Sequence, residues 1–378
     1  MKTIYKLGIC LLICCSTPFT SASDICPYEL TTFCTCENEY VGFSGSNQSA
    51  GAPTIAPTTA PEKRFYYHHT IVECNLVTRS RSSLEEVVSR LYRKSVDRLT
   101  VLNVPSEKEQ PIVNLPYHWL QHVRVKHFQI KNTALSGEFI WKGKPFDGQE
   151  KSLAWLTAMG CSLTGSLTKD TLGSINTKGL EELPRLEGLD LSENHLMSVE
   201  ACAFTNKHPL LATIILSRNV IQEVKSGAFR RLNKLRYVDL SHNMLENIKR
   251  DIFESKPKYL KKINISWNRM KYLPEDIFSN MTSLKYVDVS YNFLFSMPEK
   301  PWKSVWWKLK YISVIGNFVE CNCDLKWMFS NSTSILIESE ERVIKGECAT
   351  RPPSLLSHNI DLYLIRLKDL MCESQEDL

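Results

Sequence analysis

Cysteines are the residues with the clearest chemistry in this sequence, and most of them lie near its two ends. Of the 13 cysteines, three lie in the apolar segment at the start of the chain and ten follow it. An even number of cysteines indicates disulfide bonds in an oxidising compartment. A zinc site at Cys321-x-Cys323 is less favoured, because it would require further Cys or His ligands at short spacing. The ten are Cys26, Cys34, Cys36, Cys74, Cys161, Cys202, Cys321, Cys323, Cys348 and Cys372.

The first 23 residues predict such a compartment. Lys2 and Lys6 precede an apolar run from Leu7 to about Cys15, and a small-residue exit ends at Ser23, which is the layout of a signal peptide. A membrane anchor is less favoured, since a bilayer requires about 20 apolar residues. We expect no other transmembrane segment and therefore a secreted protein. Four N-glycosylation sequons, weaker evidence, agree with this expectation: Asn47, Asn264, Asn280 and Asn331.

Catalytic and cofactor motifs are absent from the sequence. We find no Gly-x-Ser-x-Gly, His-Glu-x-x-His, phosphate-binding glycine loop or Gly-x-Gly-x-x-Gly. His68 and His69 form a pair that could bind a metal weakly, but a solvated pair is the simpler interpretation. The net charge of +5 is not gathered into basic runs, which argues against a nucleic-acid partner. We expect a protein that is not an enzyme and has no cofactor or metal.

An internal repeat organises the middle of the chain. From Leu186 onward, Leu-x-x-apolar-x-apolar-x-x-Asn returns every 24 or 25 residues, as in Leu235-Arg-Tyr-Val-Asp-Leu-Ser-His-Asn243. An aromatic residue follows each leading leucine by 18 residues. The asparagines are Asn194, Asn219, Asn243, Asn268, Asn292 and Asn317, and the aromatics are Phe204, Phe229, Phe253, Phe278 and Trp302.

This spacing predicts a solenoid in which every coil adds one strand to a parallel, concave sheet. The apolar positions point inward, the asparagine bonds the backbone of neighbouring coils, and the aromatics fill the convex side. A set of ordinary helices would not keep the three residue types in phase.

The pattern weakens upstream of Leu186. Leu153 begins a coil with Cys161 in the asparagine position, and Val125 begins one with Thr133 there. Leu99, Leu102 and Val104 are interpreted as one more strand, which gives about nine coils with the first three irregular. The segment 165–184 is longer than a coil requires and is expected to form an extra loop or turn on the convex side.

The two cysteine-rich ends lie where a solenoid must be covered. The run from Asn317 through Cys321-Asn-Cys323 to Trp327 resembles the C-terminal cap of extracellular leucine-rich-repeat proteins, with Phe318 in place of the usual proline. The segment with Cys26, Cys34, Cys36 and Cys74 resembles their N-terminal cap more loosely. The resemblance implies four bonds: Cys26–Cys36, Cys34–Cys74, Cys321–Cys348 and Cys323–Cys372. For Cys161 and Cys202, two free thiols are favoured over a bond between them.

The resemblance covers nearly the whole chain after residue 23 and points to the Slit-like, typical-subtype leucine-rich-repeat family. It implies an α/β solenoid, a horseshoe with a parallel concave sheet and disulfide caps. The expected order is a signal peptide (1–23), an N-terminal cap (24–98), leucine-rich repeats (99–316), a C-terminal cap (317–372) and a polar tail (373–378). Within the first cap we expect a flexible Ser/Thr/Pro-rich insertion (42–61) and a short helix starting at Ser83.

The outward positions of the strands form the candidate binding site. In the last four coils the second position is basic and the third holds three tyrosines, a mixture suited to an acidic protein surface or a sulphated glycan. The alternative is that these residue types are common at such positions in the family, and that they are solvated and bind nothing. A glycan on Asn264 would stand on this face. The candidates are Arg236, Tyr237, Asp239, Lys261, Lys262, Lys285, Tyr286, Asp288, Lys310 and Tyr311.

Two functional hypotheses follow. The first is a secreted protein-binding module acting in adhesion, matrix or signalling. The second is a structural, glycan-binding component of the extracellular matrix. The sequence does not determine the ligand or the oligomeric state.

Overall fold

The structure is a computed structural model that describes residues 33–41, 67–79, 83–106, 111–140, 142–168, 175–329, 342–350, 359–362 and 364–370. Several predictions fall outside these ranges: the signal peptide, the insertion 42–61, the tail 373–378, Cys26, Cys372, Asn47 and Asn331.

Short strands make up most of the regular structure. In chain order they are β1 Cys34–Val41, β2 Tyr67–Asn75, β3 Ser95–Leu102, β4 Arg124–Lys131, β5 Trp155–Met159, β6 Thr164–Thr168, β7 Ile175–Asn176, β8 Gly188–Asp190, β9 His195–Val199, β10 Thr213–Ile215, β11 Glu223–Val224, β12 Tyr237–Asp239, β13 Lys262–Asn264, β14 Tyr286–Asp288, β15 Tyr311–Ser313, β16 Val343–Lys345, β17 Glu347–Ala349 and β18 Asn359–Asp361. The α-helices are α1 Ser83–Arg90 and α2 Glu299–Trp302, and 3-10 turns span Thr177–Glu182, Arg250–Ile252, Trp306–Lys308, Cys323–Phe329 and Leu367–Asp369.

A 12-stranded sheet runs the length of the molecule in the order β1-β2-β3-β4-β5-β8-β10-β12-β13-β14-β15-β16. The pair β1–β2 is antiparallel, and every later neighbour is parallel. The nine strands of this sheet from β3 to β15 belong to nine successive coils, one strand in each coil, in agreement with the predicted repeat. A second parallel sheet, β11-β9-β6-β7, lies along the coils beyond the asparagine positions. The predicted solenoid with a parallel sheet is therefore confirmed.

The core follows the repeat. The apolar triplet Leu235, Val238 and Leu240 is buried, as are its counterparts in the other regular coils. The five predicted convex-side aromatics are also buried. Their rings stack from coil to coil, with centroids 5.9 Å apart for Phe204–Phe229 and 6.0 Å apart for Phe229–Phe253. Burial of the triplet and the ring column drives the stacking of one coil on the next.

Each ladder asparagine joins two coils by hydrogen bonds. Asn243 Oδ1 accepts from the backbone N–H of Ile221 at 2.9 Å, and its Nδ2 donates to the carbonyl oxygens of Leu216 and Leu240 at 2.9 and 3.0 Å. The amide group thus satisfies backbone groups at the bend that the strand ladder does not reach. The same pattern recurs at Asn194, Asn219, Asn268, Asn292 and Asn317.

The first coil has a different register from the predicted one. Leu99 pairs with Phe128 and Val101 with Ile130, so the inward positions are Val96, Leu99 and Val101. The interpretation of Leu99, Leu102 and Val104 as the apolar triplet was wrong by three residues, because several apolar residues in a row left the phase of the strand ambiguous. The strand consequently begins at Ser95, ahead of the expected start at residue 99.

The segment 165–184 is more regular than expected. Its described part forms most of β6, all of β7 and the 3-10 turn Thr177–Glu182, in place of a simple loop. Both strands join the second sheet, where β6 pairs with β9. The remaining residues, 169–174, lie outside the described ranges.

Both ends carry the predicted caps in part. The bonds Cys34–Cys74 and Cys321–Cys348 are present, and α1 forms over the predicted residues. Cys36 and Cys323 are also disulfide-bonded, and their expected partners lie outside the described residues. Cys161 and Cys202 are free thiols, as expected. Within the described ranges, no helix has the length and apolar character needed to span a membrane.

Candidate functional site

The predicted outward columns of the concave sheet are present in the register expected. Tyr237, Lys262, Tyr286 and Tyr311 are paired in succession across β12 to β15. The basic column beside them is connected by backbone hydrogen bonds, from the N–H of Lys285 to the carbonyl oxygen of Lys261 at 2.9 Å and from that of Lys310 to Lys285 at 2.8 Å. The sheet therefore holds a row of cations and a row of mainly aromatic residues side by side.

The cations of this face are largely exposed to solvent. Arg236, Lys261, Lys262 and Lys310 are exposed and Lys285 is half-buried. The Nζ atom of Lys262 lies 4.6 Å from the centre of the Tyr237 ring, which is within cation–π distance. In the described part of the chain, no ion pair within 4.0 Å involves Lys261, Lys262 or Lys285. The positive charges of Lys261, Lys262 and Lys285 are therefore available to a partner.

Asp239 is a predicted binding residue, but it does not lie on the exposed surface of the concave face. It is buried, and its Oδ1 accepts from the backbone N–H and the hydroxyl of Ser241 at 2.9 and 2.6 Å. Its other oxygen accepts from the Tyr237 hydroxyl and from Asn264 Nδ2. Burial, followed by the Asp239 carboxylate, raises the pKa of Tyr237 well above its usual range. The carboxylate therefore holds the turn after β12, and Asp288 holds the equivalent turn through Ser290.

The two sequons within the described residues have different surroundings. Asn264 is half-buried, its Nδ2 donates to Asp239 at 3.3 Å, and its Oδ1 accepts from the Ser266 hydroxyl at 2.8 Å. Asn280 is exposed and lies between the convex-side Phe278 and the leading Leu284. A glycan on Asn280 would leave the concave face clear, whereas one on Asn264 would occupy it. Glycosylation of either residue stays a prediction.

The concave face of the N-terminal coils has a different character. The indole of Trp155 lies flat over Gly188, where a Cβ atom would come within 2.2 Å of the ring. A pocket of about 370 Å³ beside it is lined by His127, Gln129, Lys131, Trp155, Thr157, Met159 and Asp190. Burial, Lys126 and Arg98 lower the pKa of His127. The cations and Asp190 that surround this pocket give it no single charge preference.

A group of exposed aromatic rings, absent from our sequence-based prediction, lies along the edge of the sheet where the strands end. We call it the edge surface and define it by Tyr272, Phe293, Phe295 and Phe318, which are 63%, 44%, 54% and 54% exposed. The last three flank the ladder asparagines Asn292 and Asn317. Exposed apolar groups of this size on adjacent coils are typical of binding surfaces.

A second aromatic column on the same edge has a structural explanation. The residue before each ladder asparagine has a positive φ, as at Trp267 (54°), Tyr291 (51°) and Gly316 (66°). Trp267 and Tyr291 stack with ring centroids 4.0 Å apart, and Tyr291 also covers Gly316, where a Cβ atom would lie 2.6 Å from the ring. This column consists of the positive-φ residues before the ladder asparagines and recurs with the repeat, so we describe it separately from the edge surface.

Catalytic or metal-binding arrangements do not emerge from the described side chains. They contain no cluster of three or more His, Cys, Asp or Glu residues that could hold a metal ion. Burial raises the pKa of the Cys161 thiol to about 12, so this cysteine is protonated and poorly reactive near neutral pH.

Comparisons with known proteins agree with the fold. Residues 159–285 and 197–335 match a family model described as BspA type leucine rich repeat region, with six copies of the repeat. No curated protein matches the sequence.

The solved structures to which the chain is similar include two complexes. A crystal structure of a TLR13-ssRNA13 complex has 21% identity and a TM-score of 0.44, and covers 63% of this chain and 34% of that one. An octameric complex of Latrophilin 3 (Lec, Olf), Unc5D (Ig, Ig2, TSP1) and FLRT2 (LRR) has 17% identity and a TM-score of 0.48, and covers 77% of this chain and 86% of that one. The chain thus spans about a third of the first of these proteins. Residues 159–335, just under half of the chain, are thus similar to a leucine-rich-repeat region of the BspA type, and the repeat geometry of these coils agrees with that match.

Proposed function

We propose that this protein is a secreted, non-enzymatic binding module that recognises an acidic protein surface with the concave face of its last four coils. Secretion, the Slit-like subtype and the use of this face are parts of the proposal. One observation carries it, namely the row of cations from Arg236 to Lys310 beside Tyr237, Tyr286 and Tyr311.

The composition of the face supports a protein partner. Tyrosine offers a large, rigid contact area with one polar atom, and it is enriched at protein interfaces. The cations would steer an acidic partner toward the face and fix its orientation. Because the Asp239 carboxylate is buried and hydrogen-bonded, it contributes little to the outer surface that a partner would meet.

The alternative is a structural, glycan-binding component of the matrix. Neighbouring strands lie about 4.8 Å apart, so four cations in adjacent coils form a regular row that also suits a linear polyanion. The glycan hypothesis requires retention on heparin that weakens with salt, whereas the protein hypothesis requires a saturable protein partner.

A binding experiment with matched charge changes tests the proposal. The purified chain is screened against a panel of extracellular proteins, and any saturable partner is measured again with Arg236→Glu, Lys261→Glu and Lys285→Glu combined. We expect at least about a tenfold loss of affinity. The control combines Lys249→Glu, Lys256→Glu and Lys258→Glu, which make the same charge change at exposed residues outside the concave strands.

Three results would contradict the proposal. The first is the absence of any saturable protein partner, the second is equal losses in both triple variants, and the third is binding confined to heparin.

A further inference from the structure

The aromatic residues of the edge surface are not part of the repeat pattern. In the two coils before this surface, the position of Phe293 is filled by Val220 and Met244, and the position of Phe295 by Gln222 and Glu246. Those coils have the same strand register and the same asparagine hydrogen bonds. The strand register and the asparagine ladder therefore do not account for aromatic rings at these positions in the last coils.

The rings are held in place before any partner arrives. The Phe318 ring stacks with the rings of both Phe293 and Phe295, with centroids 6.1 and 5.8 Å away. The backbone N–H of Phe293 donates to the Met270 carbonyl at 2.8 Å, and that of Phe318 donates to Leu294 at 2.8 Å. A rigid backbone and mutually packed rings reduce the entropy lost on binding.

The charges beside the rings indicate the chemistry of the occupant. A cavity of about 340 Å³ lies against Phe293 and Tyr272, and its charged residues are Arg269, Lys271 and Glu246. On the other side of the rings, toward the C-terminal cap, lies a larger cavity of about 860 Å³. The charged residues of its wall are Glu320, Glu347, Asp361 and Lys345. The surface is thus more basic at its Arg269 end and more acidic at its cap end.

We infer that the edge surface binds an extended acidic segment of a partner protein whose aromatic or branched apolar side chain packs on Phe293 and Phe318. The carboxylates of the segment lie over Arg269 and Lys271, and its polar backbone lies along the rim. An apolar side chain on fixed rings, surrounded by paired charges, is the usual arrangement of an energetic hot spot. This inference extends the proposed function to a second surface, and it rests on that function only in requiring a partner protein.

A peptide selection tests the inference without knowledge of the natural partner. The probe is a random peptide library displayed on phage and panned on the immobilised full-length protein. We expect enrichment of peptides that combine Asp or Glu with Phe, Trp, Leu or Ile. One enriched peptide is then synthesised, and its affinity for variants of the protein is measured by fluorescence anisotropy.

The variants separate the two surfaces. We expect Phe293→Ser with Phe318→Ser to weaken the peptide by about tenfold or more, and Arg269→Glu with Lys271→Glu to weaken it and remove its salt dependence. Met244→Ser alters the Phe293 position two coils earlier and serves as the control, with no effect expected. Lys261→Glu with Lys285→Glu alters the concave face and should also leave the peptide affinity unchanged. Melting temperatures close to the unmodified protein show that the variants are folded.

The opposite outcomes would overturn the inference. They are enrichment of basic peptides, no enrichment, or affinity that survives the phenylalanine changes. Loss of binding only with the concave variant would overturn the edge site and leave the proposed function intact. A dimer in analytical ultracentrifugation that dissociates with Phe318→Ser would instead assign the surface to a second copy of the chain.

Discussion

The coils from Leu186 to Asn317 and the coils from Ser95 to Cys161 form one sheet with different polar anchors. In the first group an asparagine in every coil bonds backbone groups of two coils. In the second, Thr133 Oγ1 accepts only the Val104 N–H at 3.1 Å from the preceding coil, and Cys161 Sγ lies 3.5 Å from the Ile130 carbonyl oxygen.

The N-terminal coils obtain a further anchor from the convex side. Gln149 is fully buried, its Oε1 accepts from the Val125 N–H at 3.0 Å, and its Nε2 donates to the Leu120 carbonyl at 2.8 Å. The comparison shows that the fold requires satisfied backbone groups at each bend and does not require a particular residue to satisfy them.

The largest effect expected from this comparison is that of Asn243→Ala in the regular coils. The change leaves the Ile221 N–H buried without its acceptor and removes one of the two amide donors to the Leu216 carbonyl, the other being Asn219 Nδ2. We therefore expect a loss of about 3 kcal/mol in the free energy of unfolding. Denaturation by guanidinium with the disulfides intact measures it. Asn317→Ala, at a half-buried position in the last coil, should cost less. Equal losses at the two positions would show that burial does not set the cost.

A second effect is expected where the two groups of coils meet. Gly188→Ala places a Cβ atom within 2.2–2.5 Å of the Trp155 ring, so the indole must move, at a cost of about 2 kcal/mol. Trp155→Ala combined with Gly188→Ala should remove the strain, and a double-mutant cycle measures the coupling. Additive effects of the two changes would contradict this account.

The irregular N-terminal coils should lose less stability than the regular coils when the side chain at the asparagine position is replaced. Thr133→Val removes one acceptor and leaves the Val104 N–H unbonded, for an expected cost of about 1–2 kcal/mol. The same denaturation experiment applies, with Cys161→Ala as a comparison that should cost less still. A loss at Thr133 as large as that at Asn243 would remove the distinction between the two regions.

A modest pH effect is expected from His208, which lies in the regular coils. Burial lowers its pKa below the ordinary 6.5, so the unfolded chain takes up a proton more readily than the folded one. Stability should therefore fall as the pH drops below about 6.5, and the loss should end once the pH is below the pKa of the folded state. His208→Asn removes the titrating group, and melting temperatures from pH 7.5 to 5.5 should decline less in the variant. An identical decline would assign the effect elsewhere.

Much of the fold could be predicted, because the interior positions repeat. The phase of the leucines and asparagines gave the correct register of the concave columns and the burial of Phe204 through Trp302. The predicted register of the first coil was wrong because the segment from Leu99 to Val104 has apolar residues in more than one phase. Gln149 could not be identified, because a buried glutamine on the convex side has no fixed place in the repeat.

The candidate site was predicted less completely. The cations and tyrosines of the concave face follow from register alone, but the burial of Asp239 depends on its contacts with Tyr237 and Ser241. The edge surface was missed because only strand positions were considered. Comparison of Phe293, Phe295 and Phe318 with Val220, Gln222 and Met244 at equivalent positions would have revealed it from the sequence.

The strands β1 and β16, at the two ends of the main sheet, have a consequence for self-association. The strands β1 and β16 are the outermost of the sheet, and an outermost strand can recruit a strand from another molecule. At one border β1 carries the exposed Glu37, and at the other β16 has three residues, exposes Lys345 and is followed by Gly346 with φ of 136°. Charge at both borders of the described sheet and the abrupt end of β16 therefore disfavour end-to-end pairing with the sheet of another molecule.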